Sequence, residues 1–267
     1  MPAAALIRRT GLALLLAVFS AALSAPALAQ AQKAPAAYEP TSGQAGKDVV
    51  WVPTPQVVVD KMLDMAKVTP RDFVIDLGSG DGRTVITAAK RGARALGIEY
   101  NPDMVELSRR NAEKEGVSGK ATFIKADLFE TDFSRASVIT MFLLPEINLK
   151  LRPKILALKP GTRIVSNSFN MGDWEPDDTA NLSADAGCTS SYCTALFWIV
   201  PARVAGTYKI PQGELTLKQQ YQFLSGTLRT DSKTLALVGE VHGTDFAFKA
   251  GGRDYRGRMN GTTLELR

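Results

Sequence analysis

The chain has 267 residues, 45% of them hydrophobic and 22% charged, with a net charge of +5. This length allows one sizeable core or one domain plus a smaller one, and the composition is that of a globular protein, which excludes a chain without a core. Arg8 and Arg9 are the only charged side chains in residues 1–29, so the remainder carries +3, too little to argue for a nucleic-acid partner.

Residues 1–29 read as a cleavable signal peptide. Arg8-Arg9 form a charged start, residues 11–23 an apolar run, and Ala27-Leu28-Ala29 the small residues a signal peptidase reads. The run is shorter than the ~20 residues a spanning helix needs, so cleavage is expected rather than a stable membrane anchor. The expected location is periplasmic or secreted. Residues 30–46, rich in Ala, Pro, Gly and Gln, read as a flexible linker.

From residue 47 to 201 strand and helix patterns alternate. An amphipathic helix is predicted over 57–66, with Val58, Met62 and Met65 on one face. Strands follow at 73–76, 95–99, 121–125, 138–143 and 163–168, with helices at 82–91, 102–115 and 145–158. The spacing predicts an α/β fold: a Rossmann-like, doubly wound, mostly parallel sheet. Residues 195–200 (ALFWIV) add one more buried strand. Beyond Pro201 short alternating stretches separated by turn residues predict a small all-β appendage, 202–267, folded as an antiparallel meander. Cys188 and Cys193 are the only cysteines, in CTSSYC. With His242 the only histidine a zinc site lacks ligands and no metal is expected; a local disulfide and two free thiols both remain open.

The chemistry concentrates in DLGSGDGR, 76–83, a strand end, a glycine-rich turn and a helix start. A dinucleotide fold would hold a pyrophosphate there. Here the third glycine comes one position early, and Asp76 and Asp81 would repel phosphate by several kcal/mol in a partly dry cleft. Both suit a cationic ligand instead. S-adenosylmethionine (SAM) carries a sulfonium and an ammonium and no phosphate.

Asp76-Leu77-Gly78-Ser79-Gly80-Asp81-Gly82 resembles the D/E-x-G-x-G-x-G signature of the seven-stranded, class I SAM-dependent methyltransferases. GIEYNP, ADLF, FLLPE and PGTRIVSN further resemble small methyltransferases related to the nucleosome-core lysine methyltransferases, over roughly 49–201. The resemblance implies SAM as cofactor. It implies that Glu99 and Tyr100 meet the ribose diol, that Asp127 and Leu128 meet the adenine, and that Thr54, with Trp51 and Pro53, borders the pocket. It places Phe142, Leu143 and Glu146 where the methyl acceptor approaches, with Asn167 at the next strand end. Glu146 and Asn167 are the catalytic candidates. Gly78, Ser79, Gly80, Asp81 and Gly82 form the cofactor turn.

Each residue also has an ordinary use. The glycines permit a tight turn; Asp76, Asp81, Glu99 and Asp127 can cap helices; Phe142 and Leu143 can be core; Glu146 can start a helix. Trp174 and Trp198 read as packing, and His242 is given no role. The expected function is an exported SAM-dependent methyltransferase with an unidentified acceptor, a protein lysine by resemblance. The alternatives are a non-catalytic binding module on the same fold and, more remotely, a dehydrogenase.

Overall fold

The computed structural model describes residues 38–47 and 50–267. The expected signal peptide and the first part of the linker lie outside the described residues. The rest of that linker is folded: Gln44 N–H donates to Thr41 O at 2.9 Å, Gly43 N–H to Trp51 O at 2.8 Å, and Trp51 N–H to Gln44 O at 2.9 Å. Pro40-Thr41-Ser42-Gly43 is turn chemistry, which the low periodicity of the stretch concealed.

The first sheet has the order β3-β2-β1-β4-β5-β7-β6. β1 (Phe73–Leu77), β2 (Arg94–Glu99), β3 (Ala121–Lys125), β4 (Val138–Met141) and β5 (Arg163–Asn167) are parallel, while β7 (Thr194–Ile199) pairs antiparallel with both β5 and β6 (Asp178–Asn181). The chain reverses its winding between β1 and β4, which opens a crevice at the carboxyl ends of those strands.

Side-chain alternation gives each sheet face its own core. Val74, Val138 and Val165 join α1 (Gln56–Met65), α2 (Arg83–Lys90) and α3 (Pro102–Lys114) on one face. Ile75, Leu77, Ile139 and Met141 meet Ile147, Leu151 and Ile155 of α4 (Pro145–Leu156) on the other. Trp174 and Trp198 are fully buried in this second core, and Trp198 Nε1–H donates to Trp174 O at 2.9 Å.

Three local differences from the sequence expectation matter for the site. β4 stops at Met141, so Phe142 and Leu143 belong to the loop before α4, although the apolar run continues through them. β5 stops at Asn167, and Ser168 adopts a φ of +60°, turning the chain sharply out of the sheet. β6 was not legible: Asp178-Thr179-Ala180-Asn181 is an exposed edge with no apolar alternation. Cys188 and Cys193 are disulfide-bonded, with Cα atoms 5.9 Å apart, and staple the loop between β6 and β7.

The second sheet is a seven-stranded antiparallel meander, β8 (Gly206–Ile210), β9 (Gly213–Gln220), β10 (Phe223–Arg229), β11 (Thr234–His242), β12 (Asp245–Ala250), β13 (Arg253–Asn260) and β14 (Thr263–Leu266), in sequence order. Its inner face buries Leu215, Leu217, Leu224, Leu228, Leu237, Val241, Phe246, Phe248 and Met259. Tyr221 stacks on Trp174 with ring centres 5.9 Å apart, and Gln222 Nε2–H donates to Glu175 O at 2.8 Å, joining the meander to the first sheet.

Candidate functional site

The glycine turn leaves β1 after Leu77 and crosses to β2. Gly78 and Ser79 N–H groups both donate to Ile98 O, at 2.9 and 3.0 Å. Gly80 (φ +54°) and Gly82 (φ +83°) lie where side chains do not fit. A Cβ on Gly80 would stand 2.5 Å from Trp51 Nε1, and one on Gly82 2.8 Å from the Phe123 ring and 2.9 Å from Ser108 Cβ. Ser108, fully buried on α3, donates to Gly80 O at 2.8 Å.

Asp76 ends β1 with only 5% of its surface exposed and accepts from Thr140 Oγ at 2.6 Å. Burial pushes its carboxyl up to about 7; the Thr140 hydrogen bond opposes this, and the charges of Glu99 and Asp81 add to it. Glu99, at the end of β2, accepts Gly80 N–H on one oxygen and Asn101 N–H on the other, both at 2.9 Å. It thereby ties the glycine turn to the start of α3, while each oxygen retains a lone pair for a ligand.

A cavity opens over this turn. Its lining includes Thr54, Asp76, Gly78, Ser79, Gly80, Asp81, Glu99, Tyr100, Asp127, Leu128 and Phe142, so the structure gathers these sequence candidates around one space. Gly82 stands outside the lining and packs against Phe123 instead. Glu146 and Asn167 are also outside it. Glu146 is exposed in the first turn of α4, a favoured place for an acid; Asn167 is fully buried and its Oδ1 accepts from Ser168 Oγ at 2.8 Å. The structure therefore does not bring these two catalytic candidates into the cavity lining, although Ile147, next to Glu146, is part of it.

The charge pattern needs a second correction. Asp81 faces Arg83, whose Nη2 lies 2.6 Å from its Oδ2, while Arg83 Nη1 donates to Thr54 O at 2.9 Å. Its charge is matched within the protein, so the preference for a cation over a phosphate rests on Asp76 and Glu99. Those two are held by a threonine hydroxyl and two backbone N–H groups, all neutral donors. At the far end of the cavity Asp127 accepts Phe129 N–H at 2.9 Å and Lys47 Nζ at 2.5 Å, and Lys47 lies 4.7 Å from the centre of the Tyr100 ring. The hydrogen bond from Lys47 holds the Asp127 carboxyl below its usual range.

Sequence reasoning did not include Lys47 or the strap residues Gln44, Ala45 and Gly46, which line the cavity. Nothing local marks them, because their role comes from chain crossing some 80 residues away in sequence. Arg83 was detectable in principle, two residues from Asp81.

Beside this turn Ser79 Oγ is buried over Gly97, without a hydrogen-bond partner among the described residues. Two acids with neutral donors and a turn too close for side chains fit a sulfonium nucleoside, not a pyrophosphate. With the strand order 3-2-1-4-5-7-6, this site defines the class of Rossmann-like SAM-dependent methyltransferases.

Comparison with known proteins agrees. The family model described as "ANTKMT methyltransferase domain" matches residues 76–178. A protein-lysine N-methyltransferase of Saccharolobus islandicus is 48% identical over 133 residues, covering 49% of this chain and 83% of that protein. The adenine nucleotide translocase lysine N-methyltransferase of Mus musculus is 36% identical over 120 residues, 44% of this chain and 52% of that protein, so the chain spans about half the length of this relative. A crystal structure of an RNA methyltransferase from Salinibacter ruber, in complex with S-adenosyl-L-homocysteine, is 46% identical, covers 57% of this chain and 96% of that one, and has a TM-score of 0.53. The chain belongs to the family of SAM-dependent methyltransferases that includes these protein-lysine N-methyltransferases. It is a SAM-dependent methyltransferase, and SAM is its cofactor.

Proposed function

We propose that this methyltransferase modifies a lysine side chain of a protein acceptor and that it acts outside the cytoplasm, in the periplasm or as a secreted protein. The observation that carries the acceptor is the 48% identity to a protein-lysine N-methyltransferase of which the chain covers 83%. The name of the Mus musculus relative points to the same chemical class. The location rests on the signal-peptide pattern of residues 1–29.

SAM supplies an activated methyl group: a lysine amine that has given its proton to solvent attacks it, the N–C bond forms as the S–C bond breaks, sulfur keeps the bonding pair, and the nitrogen takes up the positive charge as a methylammonium. The protein's own residues hold and exclude. Asp76 and Glu99 offer negative charge beside the glycine turn, and Asp127 and Tyr100 border the opposite end. Phe142 and Leu143, released from β4, form the acceptor side. Orientation of the two reactants against this fixed sheet edge supplies most of the rate acceleration in such a site.

The test uses the purified protein with methyl-labelled SAM and two acceptor probes, poly-L-lysine and bulk RNA. Label is expected in poly-L-lysine as Nε-methyl-lysine. Label in RNA alone would overturn the lysine assignment in favour of the activity named for the Salinibacter ruber relative. SAM binding with no transfer to either probe would overturn the lysine assignment and point to an acceptor of another class. Export has its own test: protein recovered from the periplasmic fraction or medium is expected to begin at Gln30, and an intact Met1 in a protein confined to the cytoplasm contradicts it.

A further inference from the structure

Three aromatic rings from distant parts of the chain meet beside Phe142. Phe142 follows β4, Phe169 follows the sharp turn at the end of β5, and Tyr192 precedes β7, all at one edge of the sheet. Phe142 and Phe169 stack with centres 5.8 Å apart, Tyr192 meets Phe142 edge-on at 5.1 Å, and Phe169 and Tyr192 are 5.9 Å apart. All three are only partly buried, so the trio is a surface and not a sealed core. Phe142 belongs to the cofactor cavity lining; the other two lie beyond that lining, packed on the Phe142 ring.

The surrounding structure is committed to holding these rings. Ser168 takes a positive φ, and Phe169 O accepts both Ser166 Oγ at 2.7 Å and Asn148 Nδ2 at 3.2 Å. Ser166 and Asn148 are fully buried. A left-handed conformation at a non-glycine residue is maintained only where its surroundings enforce it. On the other side Tyr192 is the residue before Cys193, inside the loop that the Cys188–Cys193 disulfide closes. Cys188 is buried in the helix-side core, so the loop is anchored to the fold at that end. Tyr192 N–H further donates to Ser190 Oγ at 3.1 Å.

We propose that Phe142, Phe169 and Tyr192 form the acceptor subsite, and that the disulfide acts as a positioning device which keeps the Tyr192 ring on it. Ring faces attract an ammonium or methylammonium head, and their apolar bodies pack against a four-carbon stem. The wall therefore selects a lysine side chain and keeps affinity for it after methylation, since the charge is retained. This rests on the lysine assignment above.

The experiment compares Tyr192→Ala, Tyr192→Phe and the double variant Cys188→Ser/Cys193→Ser in the full chain. The readouts are KM for poly-L-lysine and Kd for SAM. Tyr192→Ala is expected to raise KM by about tenfold, the size of a partly desolvated cation–π contact with stem packing. SAM affinity should stay within twofold, and Tyr192→Phe should behave as the parent because it keeps the ring. The double serine variant should raise KM in the same direction with SAM affinity intact. A Tyr192→Ala KM within twofold of the parent, or a matching loss of SAM affinity, overturns the proposal. Titration with Nα-acetyl-Nε-trimethyl-lysine amide, in the presence of S-adenosylhomocysteine, separates the subsite from the choice of acceptor. If the parent labels no lysine, binding of this probe that Tyr192→Ala loses upholds the subsite, and absence of binding ends it.

Discussion

At pH 8, an Asp76→Asn variant will unfold at a higher temperature than the parent while binding SAM at least tenfold more weakly. Asp76 is almost wholly buried, and burial pushes its carboxyl from 3.8 up to about 7. Between these values the folded protein holds a proton that the unfolded chain has released, so stability falls as pH rises from about 4 to about 7. Below that window the cost is absent; above it the full cost of a buried carboxylate is present, at most about 4 kcal/mol by the size of the shift. Asparagine has no charge to bury and can still accept from Thr140, so it escapes this cost. The melting temperatures should diverge at pH 8 and converge below about pH 4.

Binding moves the opposite way because the ionised carboxylate is what a cation wants. A bound sulfonium and ammonium draw the proton off Asp76, so log Kd for SAM should fall by about one per pH unit up to pH 7 and then level. The Asn variant should show no such slope. Calorimetry in two buffers of different ionisation heat reads the released proton directly. Equal melting temperatures at pH 8, or an unchanged slope in the variant, would refute the role given to this carboxyl.

Gly82→Ala will cost the fold about 3 kcal/mol and lower the melting temperature by roughly 10 °C. Two effects combine. The backbone at φ +83° strains any residue with a Cβ by about 1–2 kcal/mol. The new methyl also stands 2.8 Å from Phe123 and 2.9 Å from Ser108. Neither neighbour can retreat easily: Phe123 is in β3 and 4% exposed, and buried Ser108 is tied to Gly80 O. Gly116→Ala separates the two effects, because Gly116 has φ +67° and nothing within 4 Å of a Cβ. It should lose only the strain. Thermal melts of both variants check this, and equal losses at the two sites would show that crowding against Phe123 and Ser108 contributes nothing.

The glycine turn, the acids at successive strand ends and the parallel sheet with its antiparallel appendage were legible because each is a local signal. Alternation reports strands within six residues, a glycine-rich turn reports a special backbone within seven, and both sit on the elements they describe. The class of cofactor followed from the same short segments. The finer expectations failed where local signals pointed two ways. The apolar run through Phe142 and Leu143 looked like strand, and Asp81 looked like a site charge until Arg83 was found to neutralise it.

The sequence by itself determined the α/β class, the cofactor turn and its preference for a cation, because periodicity and turn chemistry are properties of neighbouring residues. Only the tertiary structure decided which charges remain for a ligand, that Lys47 reaches Asp127 across 80 positions, and that rings at 142, 169 and 192 share one wall. The shared wall depends on strand order: β5 and β7 lie side by side and antiparallel, so the end of one meets the start of the other. No local period encodes that adjacency.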